Sequence, residues 1–123
     1  DVLRKEIPMR DAVTQWGNVG GLVAGLLTSD MELIGRSMKD VIAEPYRKGF
    51  IPGYDSLKNE CFKNGALAVN ISGSGPSVFA LSDSMEKAQA VGRAMAAHFG
   101  SLGVEADLYV SHVPRRGARL VEE

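Results

Sequence analysis

The 123-residue sequence lacks most of the features that would commit it to a specialised environment. It has one cysteine, Cys61, so an internal disulfide is excluded and a reducing, cytoplasmic setting is the default. It lacks a net charge of either sign: fourteen Lys and Arg stand against fifteen Asp and Glu, for a formal charge of -1. That balance removes the usual electrostatic reason to propose a nucleic acid or an anionic membrane as partner. No apolar run is long enough to span a bilayer, and no secretion signal is evident. Aromatic residues are few, 7%, with a single tryptophan, Trp16. Only two histidines occur, His98 and His112, and neither has a Cys, Asp or Glu at ligand spacing, so no metal site is expected.

Glycine, by contrast, is abundant at fourteen residues, scattered rather than repeated. The chain also starts at Asp1 rather than Met and enters patterned sequence almost at once, which suggests the C-terminal part of something longer. An apolar share of 45% and a length of 123 residues fit one domain with one core.

Val13, Trp16, Gly20, Val23 and Leu27 recur at spacings of three and four, which predicts a helix over 12–27 with Asp11 as its N-cap. Val19, Leu22 and Leu26 add a second apolar stripe. A helix apolar on both sides needs cover from a sheet and from a second helix or a further domain, and dimerisation could supply it. Gly17, Gly20, Gly21 and Gly25 weaken it intrinsically, and close helix packing is the physical reason to keep them. Trp16 is expected in the core. Ser29 and Glu32 have capping-box spacing and open a short helix through Leu33, Ile34 and Met38. Pro45 interrupts or ends it. Ile51-Pro52-Gly53 reads as a turn, followed by a helix over 54–62 that places Tyr54, Leu57 and Cys61 on one face and stops at Gly65. Cys61 there is a small buried hydrophobe rather than a nucleophile.

Two apolar runs, 66–71 and 78–81, read as strands around Ser72-Gly73-Ser74-Gly75-Pro76-Ser77. Asp83 and Glu86 offer a second capping box, and Met85, Ala88, Gly92, Met95 and Phe99 line one face of the helix that follows, ended by Gly100 and Gly103. Val104, Ala106, Leu108 and Val110 alternate with Glu105, Asp107, Tyr109 and Ser111, the pattern of a half-buried strand. Residues 118–121 could add a last short strand after a turn at 114–117. The sum is an α+β sandwich: an antiparallel sheet with helices on one face, and no internal repeat.

The glycine-serine turn lacks the spacing of a P-loop or of a dinucleotide fold and has no lysine beside it. Its backbone could form an anion nest or equally buttress a neighbouring loop. Arg47, beside Pro45 and Tyr46, is placed to grip a carboxylate through two hydrogen bonds, although a solvated surface arginine has the same sequence look. Nothing in their surroundings singles out Arg4, Arg10, Arg115 or Arg116. The serines lack a nucleophile-elbow context, and no residue is assigned a catalytic role.

Asp11-Ala12-Val13, Glu44-Pro45-Tyr46-Arg47, Ile51-Pro52-Gly53 and Ile71-Ser72-Gly73-Ser74-Gly75-Pro76-Ser77 occur in this order. Together they resemble the C-terminal half of the homoserine kinase family, in the superfamily of galactokinase, homoserine kinase, mevalonate kinase and phosphomevalonate kinase. The resemblance implies a ferredoxin-like domain with extra helices. It implies transfer of the ATP γ-phosphate, with Mg²⁺, to the side-chain hydroxyl of L-homoserine, giving O-phospho-L-homoserine in threonine biosynthesis. The phosphate-binding loop and the Mg²⁺ ligands would belong to an N-terminal domain that this sequence does not contain, so neither ATP nor Mg²⁺ is expected on residues 1–123 by themselves. Arg47 matches the arginine set to bind the substrate carboxylate. Ser72, Gly73, Ser74, Gly75, Pro76 and Ser77 match the turn that supports the phosphate loop. The family's second carboxylate-binding arginine would fall ahead of Asp1, and Arg4 looks misplaced for it. Two other readings stay open: a kinase of the same superfamily acting on a different alcohol, and a non-catalytic amino-acid-binding module.

Overall fold

The structure, a computed structural model, describes residues 3–114, 116, 117 and 120. Helix α1 (Met9–Thr28) starts three residues earlier than Asp11 would allow as a cap. Pro8 takes the N-cap position with φ -57°, and its carbonyl accepts from the N–H groups of Asp11 and Ala12 at 3.0 and 3.2 Å. Proline loses nothing there, because the first N–H groups of a helix have no intrahelical partner. Asp11 instead places its charge in the first turn, where the helix dipole favours it.

The end of α1 corrects a second expected cap. Ser29 adopts the left-handed conformation, φ 58°, and the N–H of Asp30 donates back to the Gly25 carbonyl at 2.9 Å. A residue that terminates one helix in that conformation cannot supply the extended backbone of an N-cap. Asp30 caps α2 (Met31–Ser37), its Oδ1 accepting from Leu33 N at 2.9 Å.

Helices α1 and α2 meet at two of the four glycines. A Cβ on Gly25 would stand 2.9 Å from Ile34 Cγ1, and one on Gly21 would collide with Ser37 Oγ. Gly17 and Gly20 face open space. The stripe of Val13, Trp16, Val23 and Leu27 is likewise bare, Trp16 being 65% and Leu27 82% exposed. Trp16 is therefore not a core residue in the described chain: α2 covers the opposite side of α1.

Asp40 organises the next segment. Its carboxylate accepts from the N–H groups of Ile42 and Ala43 at 2.8 Å each and of Glu44 at 3.1 Å. With those donors satisfied, Pro45 sits in the first turn of a new helix, α3 (Glu44–Arg47), and starts it instead of ending the previous one. A 3₁₀ turn (Lys48–Phe50) leads to α4 (Tyr54–Lys63), entered through Gly53 at φ 66°.

Strands β1 (Ala68–Ile71) and β2 (Val78–Leu81) pair antiparallel, Ala68 opposite Leu81 and Ile71 opposite Val78. Helix α5 (Met85–Ser101) follows, and its cap is Ser84, whose Oγ accepts from Lys87 N at 3.3 Å. Asp83, the expected cap, is engaged by the Lys87 ammonium at 2.7 Å, which holds its carboxyl below the usual range.

The core lies where α4 and α5 pack on the two strands. Leu57, Cys61, Val69 and Val91 are its fully buried centre, with Met95 and Phe99 half-buried around them. Each fully buried Leu or Val contributes about 1.5–3 kcal/mol relative to exposure. Tyr54, Leu57 and Cys61 all point into it, as their spacing predicts. The expected strand at 104–110 has no ladder partner, so among the described residues the sheet has two strands. Of the expected strand at 118–121, all but residue 120 lies outside the described residues.

Candidate functional site

The glycine-serine turn is a closed loop on the end of the β1–β2 hairpin. Ser72 N–H donates to the Ser77 carbonyl at 2.8 Å, and Gly75 N–H donates to the Ser72 carbonyl at 3.0 Å. Gly73 and Gly75 have φ 59° and 83°, values that a side chain makes costly, and the Gly75–Pro76 peptide is cis. Around Gly73 there is open space, whereas Gly75 rests over Ile71 and Ile51. One side of the turn is thus anchored on the domain and its tip stands clear.

Arg47 reaches this tip. Its Nη1 donates to the Gly73 carbonyl at 2.8 Å, joining two motifs that lie 26 residues apart. A guanidinium carries five N–H donors in a plane, so this bond leaves a face of the fork for an anion. The other residues of the motif hold Arg47 in place. Glu44 accepts from Lys58 Nζ at 2.7 Å and from the Tyr54 hydroxyl at 2.9 Å, which fastens α3 to α4. Burial, then the bond to Glu44 and its charge, push the Tyr54 phenol well above its ordinary range, so it serves here as a donor. Tyr46 presents its ring to Arg4, whose guanidinium carbon lies 5.3 Å from the ring centroid.

Sequence reasoning left Arg4 without a role, because it lies ahead of α1 and nothing beside it marks it. The structure sets it over the ring of Tyr46, the residue next to Arg47. The signal that could have found it is its place four residues before Pro8, the residue that starts α1. Arg10 lies exposed in the first turn of α1, and Arg116 and His112 are exposed as well. His98 packs over Gly53, where an added Cβ would fall 2.6 Å from its Nε2. Cys61 is fully buried, and burial together with the Glu60 charge pushes its thiol up to about 11, as suits a packing residue.

Among the described residues no group of three His, Cys, Asp or Glu side chains could hold a metal ion. The Mg²⁺ that the resemblance implies therefore has no fitting donor set here. No described helix is long and apolar enough to cross a membrane.

Residues 22–101 match the family model described as GHMP kinases C terminal. The chain is 51% identical over 122 residues to a protein named homoserine kinase from Chlorobium phaeovibrioides, covering 98% of this chain and 38% of that protein. It is 39% identical over 114 residues to a homoserine kinase from Pyrococcus furiosus, covering 93% of this chain and again 38% of the relative. The crystal structure of homoserine kinase from Cytophaga hutchinsonii superposes with a TM-score of 0.88 at 55% identity, over 91% of this chain and 36% of that one. The chain thus spans well under half the length of the relatives it matches. On sequence and on overall fold alike, the chain belongs to the GHMP kinases C terminal family, and the relatives it matches are named homoserine kinases.

Proposed function

We propose that this chain is the C-terminal portion of an ATP-dependent homoserine kinase. The reaction joins the side-chain hydroxyl oxygen of L-homoserine to the γ-phosphorus of ATP and breaks the bond from that phosphorus to the β–γ bridging oxygen. ADP leaves, and the hydroxyl proton is released. Such a transfer depends on positioning and on charge placed around the phosphates rather than on covalent help from the protein.

The contribution of this portion is positioning. Arg47 holds the carboxylate of L-homoserine through the N–H groups that Gly73 does not occupy, and Arg4 adds a second positive charge beside it. The turn of Ser72, Gly73, Ser74, Gly75, Pro76 and Ser77 supports a phosphate-binding loop carried elsewhere in the polypeptide. ATP and Mg²⁺ are held largely by that other part, and no step is assigned to the metal through residues of this chain. The observation that carries the reading is the bond from Arg47 to Gly73, which puts a carboxylate-binding group and the glycine-serine turn in one place.

The test is ATP turnover by the full-length protein with L-homoserine, set against a panel of alcohols that lack the amino-acid head group. Phosphorylation specific to L-homoserine is expected. Equal turnover of alcohols without a carboxylate would overturn it.

A further inference from the structure

Three side-chain amides from two distant elements close on the segment between α2 and α3. On α1, Asn18 Nδ2 donates to the Lys39 carbonyl at 2.9 Å. Three residues earlier, Gln15 Oε1 accepts from Val41 N–H at 3.1 Å. On β1, Asn70 Nδ2 donates to the Met38 carbonyl at 2.9 Å. A carbonyl only accepts and a backbone N–H only donates, so the directions are set: Asn18 and Asn70 act as donors and Gln15 as acceptor. The stripe of α1 that carries Gly21 and Gly25 against α2 thus runs on through Asn18 and Gln15, at helical spacing.

Asp40 lies between the two grips of α1, and its carboxylate takes the N–H groups of residues 42–44 that start α3. Four residues later α3 ends at Arg47, whose Nη1 holds the Gly73 carbonyl. A helix of a single turn has no stability of its own, so its place is set by whatever holds its ends. Segment 38–47 is tied to segment 70–73 twice, by Asn70 at its start and by Arg47 at its finish. Asn70 keeps its bond at a cost, because its Oδ1 is buried without a partner. An unpaired buried acceptor is destabilising, and an apolar side chain of the same size would avoid it. The donor is therefore what the amide contributes at that position.

We propose that Gln15, Asn18 and Asn70 are positioning residues for the substrate: acting through the backbone of 38–41 and through Asp40, they set where Arg47 presents its free N–H groups. This rests on the kinase reading, in which Arg47 takes the carboxylate of L-homoserine. A carboxylate contact made equally before and during phosphoryl transfer shows in KM and not in kcat. Loss of folded protein has the opposite signature, since fewer active molecules lower the apparent kcat at constant KM.

Steady-state kinetics of the full-length protein carrying Gln15→Met, Asn18→Leu or Asn70→Leu tests it, each side chain close in size to the original but without the amide. KM for L-homoserine is expected to rise about 3- to 10-fold, with kcat and KM for ATP within about twofold of the parent. In an Arg47→Ala background the same substitutions should leave that KM where it is, because the group they position is gone. An unchanged KM for L-homoserine would overturn the proposal, as would a fall in kcat alone or an equal rise with Arg47 absent. Gln15 and Asn18 are only half-buried on α1, away from the core of Leu57, Cys61, Val69 and Val91, so their substitution leaves that core intact. Hydrogen exchange gives a second readout, independent of turnover. The amides of 42–44 should exchange at least about 10-fold faster in these variants, while those of Leu57 and Val91 hold their protection. Unchanged exchange at 42–44 would refute the grip itself. A parent that does not phosphorylate L-homoserine would instead overturn the kinase reading, and exchange at 42–44 would still decide whether the amides hold α3.

Discussion

Arg47 donates to the carbonyl of Gly73 at 2.8 Å, so the short helix α3 and the glycine-serine turn are one structural unit. The bond runs from a side chain to a backbone oxygen in a turn whose glycines occupy φ 59° and 83°. Arg47 therefore fixes the turn, and under the proposed function its remaining donors take the substrate carboxylate; substitutions separate the two.

In the full-length protein, Arg47→Ala is expected to raise KM for L-homoserine by about 10- to 100-fold, the loss of a charge-assisted contact of roughly 1.5–3 kcal/mol. Arg47→Lys should recover only part of it, because an ammonium lacks the planar fork. Steady-state kinetics with each variant give the answer, and unchanged homoserine kinetics in both would remove Arg47 from the site.

If Arg4 shares the carboxylate with Arg47, the effects of removing each will not add. Kinetics of Arg4→Ala, Arg47→Ala and the double variant form a cycle whose coupling is expected to exceed ~0.5 kcal/mol. Strict additivity would reduce Arg4 to a surface residue stacked on Tyr46.

Glu44→Gln leaves the Lys58 ammonium facing a neutral amide at a half-buried site. A destabilisation of about 2 kcal/mol is expected, less than for a fully buried pair because both side chains keep some contact with water. Urea unfolding of the intact protein measures it. A midpoint equal to that of the parent would show that Glu44 does not fasten α3 to α4.

The glycines of α1 should divide by position. Gly25→Ala drives a methyl group to 2.9 Å from Ile34 and is expected to cost ~1–3 kcal/mol. Gly17→Ala meets open space and is expected to stabilise by up to about 1 kcal/mol through helix propensity. Thermal unfolding of the two variants should move Tm in opposite directions.

The Cys61 thiol gives a pH signature at the alkaline end. Its folded value is raised to about 11 from an ordinary 9, so in that interval the unfolded chain loses a proton that the folded one keeps. Stability is unaffected by this group below about pH 9 and declines as pH rises toward 11, by at most ~1.4 kcal/mol per pH unit. Tyr54, also raised, adds to the slope above 10. Between pH 9 and 10, Cys61→Ala should show a shallower decline than the parent in urea unfolding.

The sequence was most legible where one period or one residue type decides the outcome. The face of Tyr54, Leu57 and Cys61, the two strands and the glycine turn all follow from local pattern, and the structure has them. The caps were less legible: Asp11, Ser29 and Asp83 each stood one to three positions from the group that does the capping. Competing donors and acceptors that close together differ by fractions of a kcal/mol, and backbone conformation chooses between them. Asp40 was missed because three amides on one carboxylate leave no spacing signature. Of the candidate site, Arg47 and the turn could be read from sequence and the bond between them could not. Arg4 and Tyr46 are brought together by the chain's path into α1, which no window of a few residues contains. The alternation at 104–110 predicted a strand that the described structure does not have, because a ladder needs a second strand beside it.

Helix α1 has two unlike sides: Gly21 and Gly25 lie tight against α2, while Val13, Trp16, Val23 and Leu27 stand bare. The two sides should therefore tolerate sequence drift differently. Changes at Gly21 or Gly25 would be filtered by the folding of this domain. Changes along the bare stripe would pass that filter unnoticed, so any restriction observed there among related proteins would report on what rests against it.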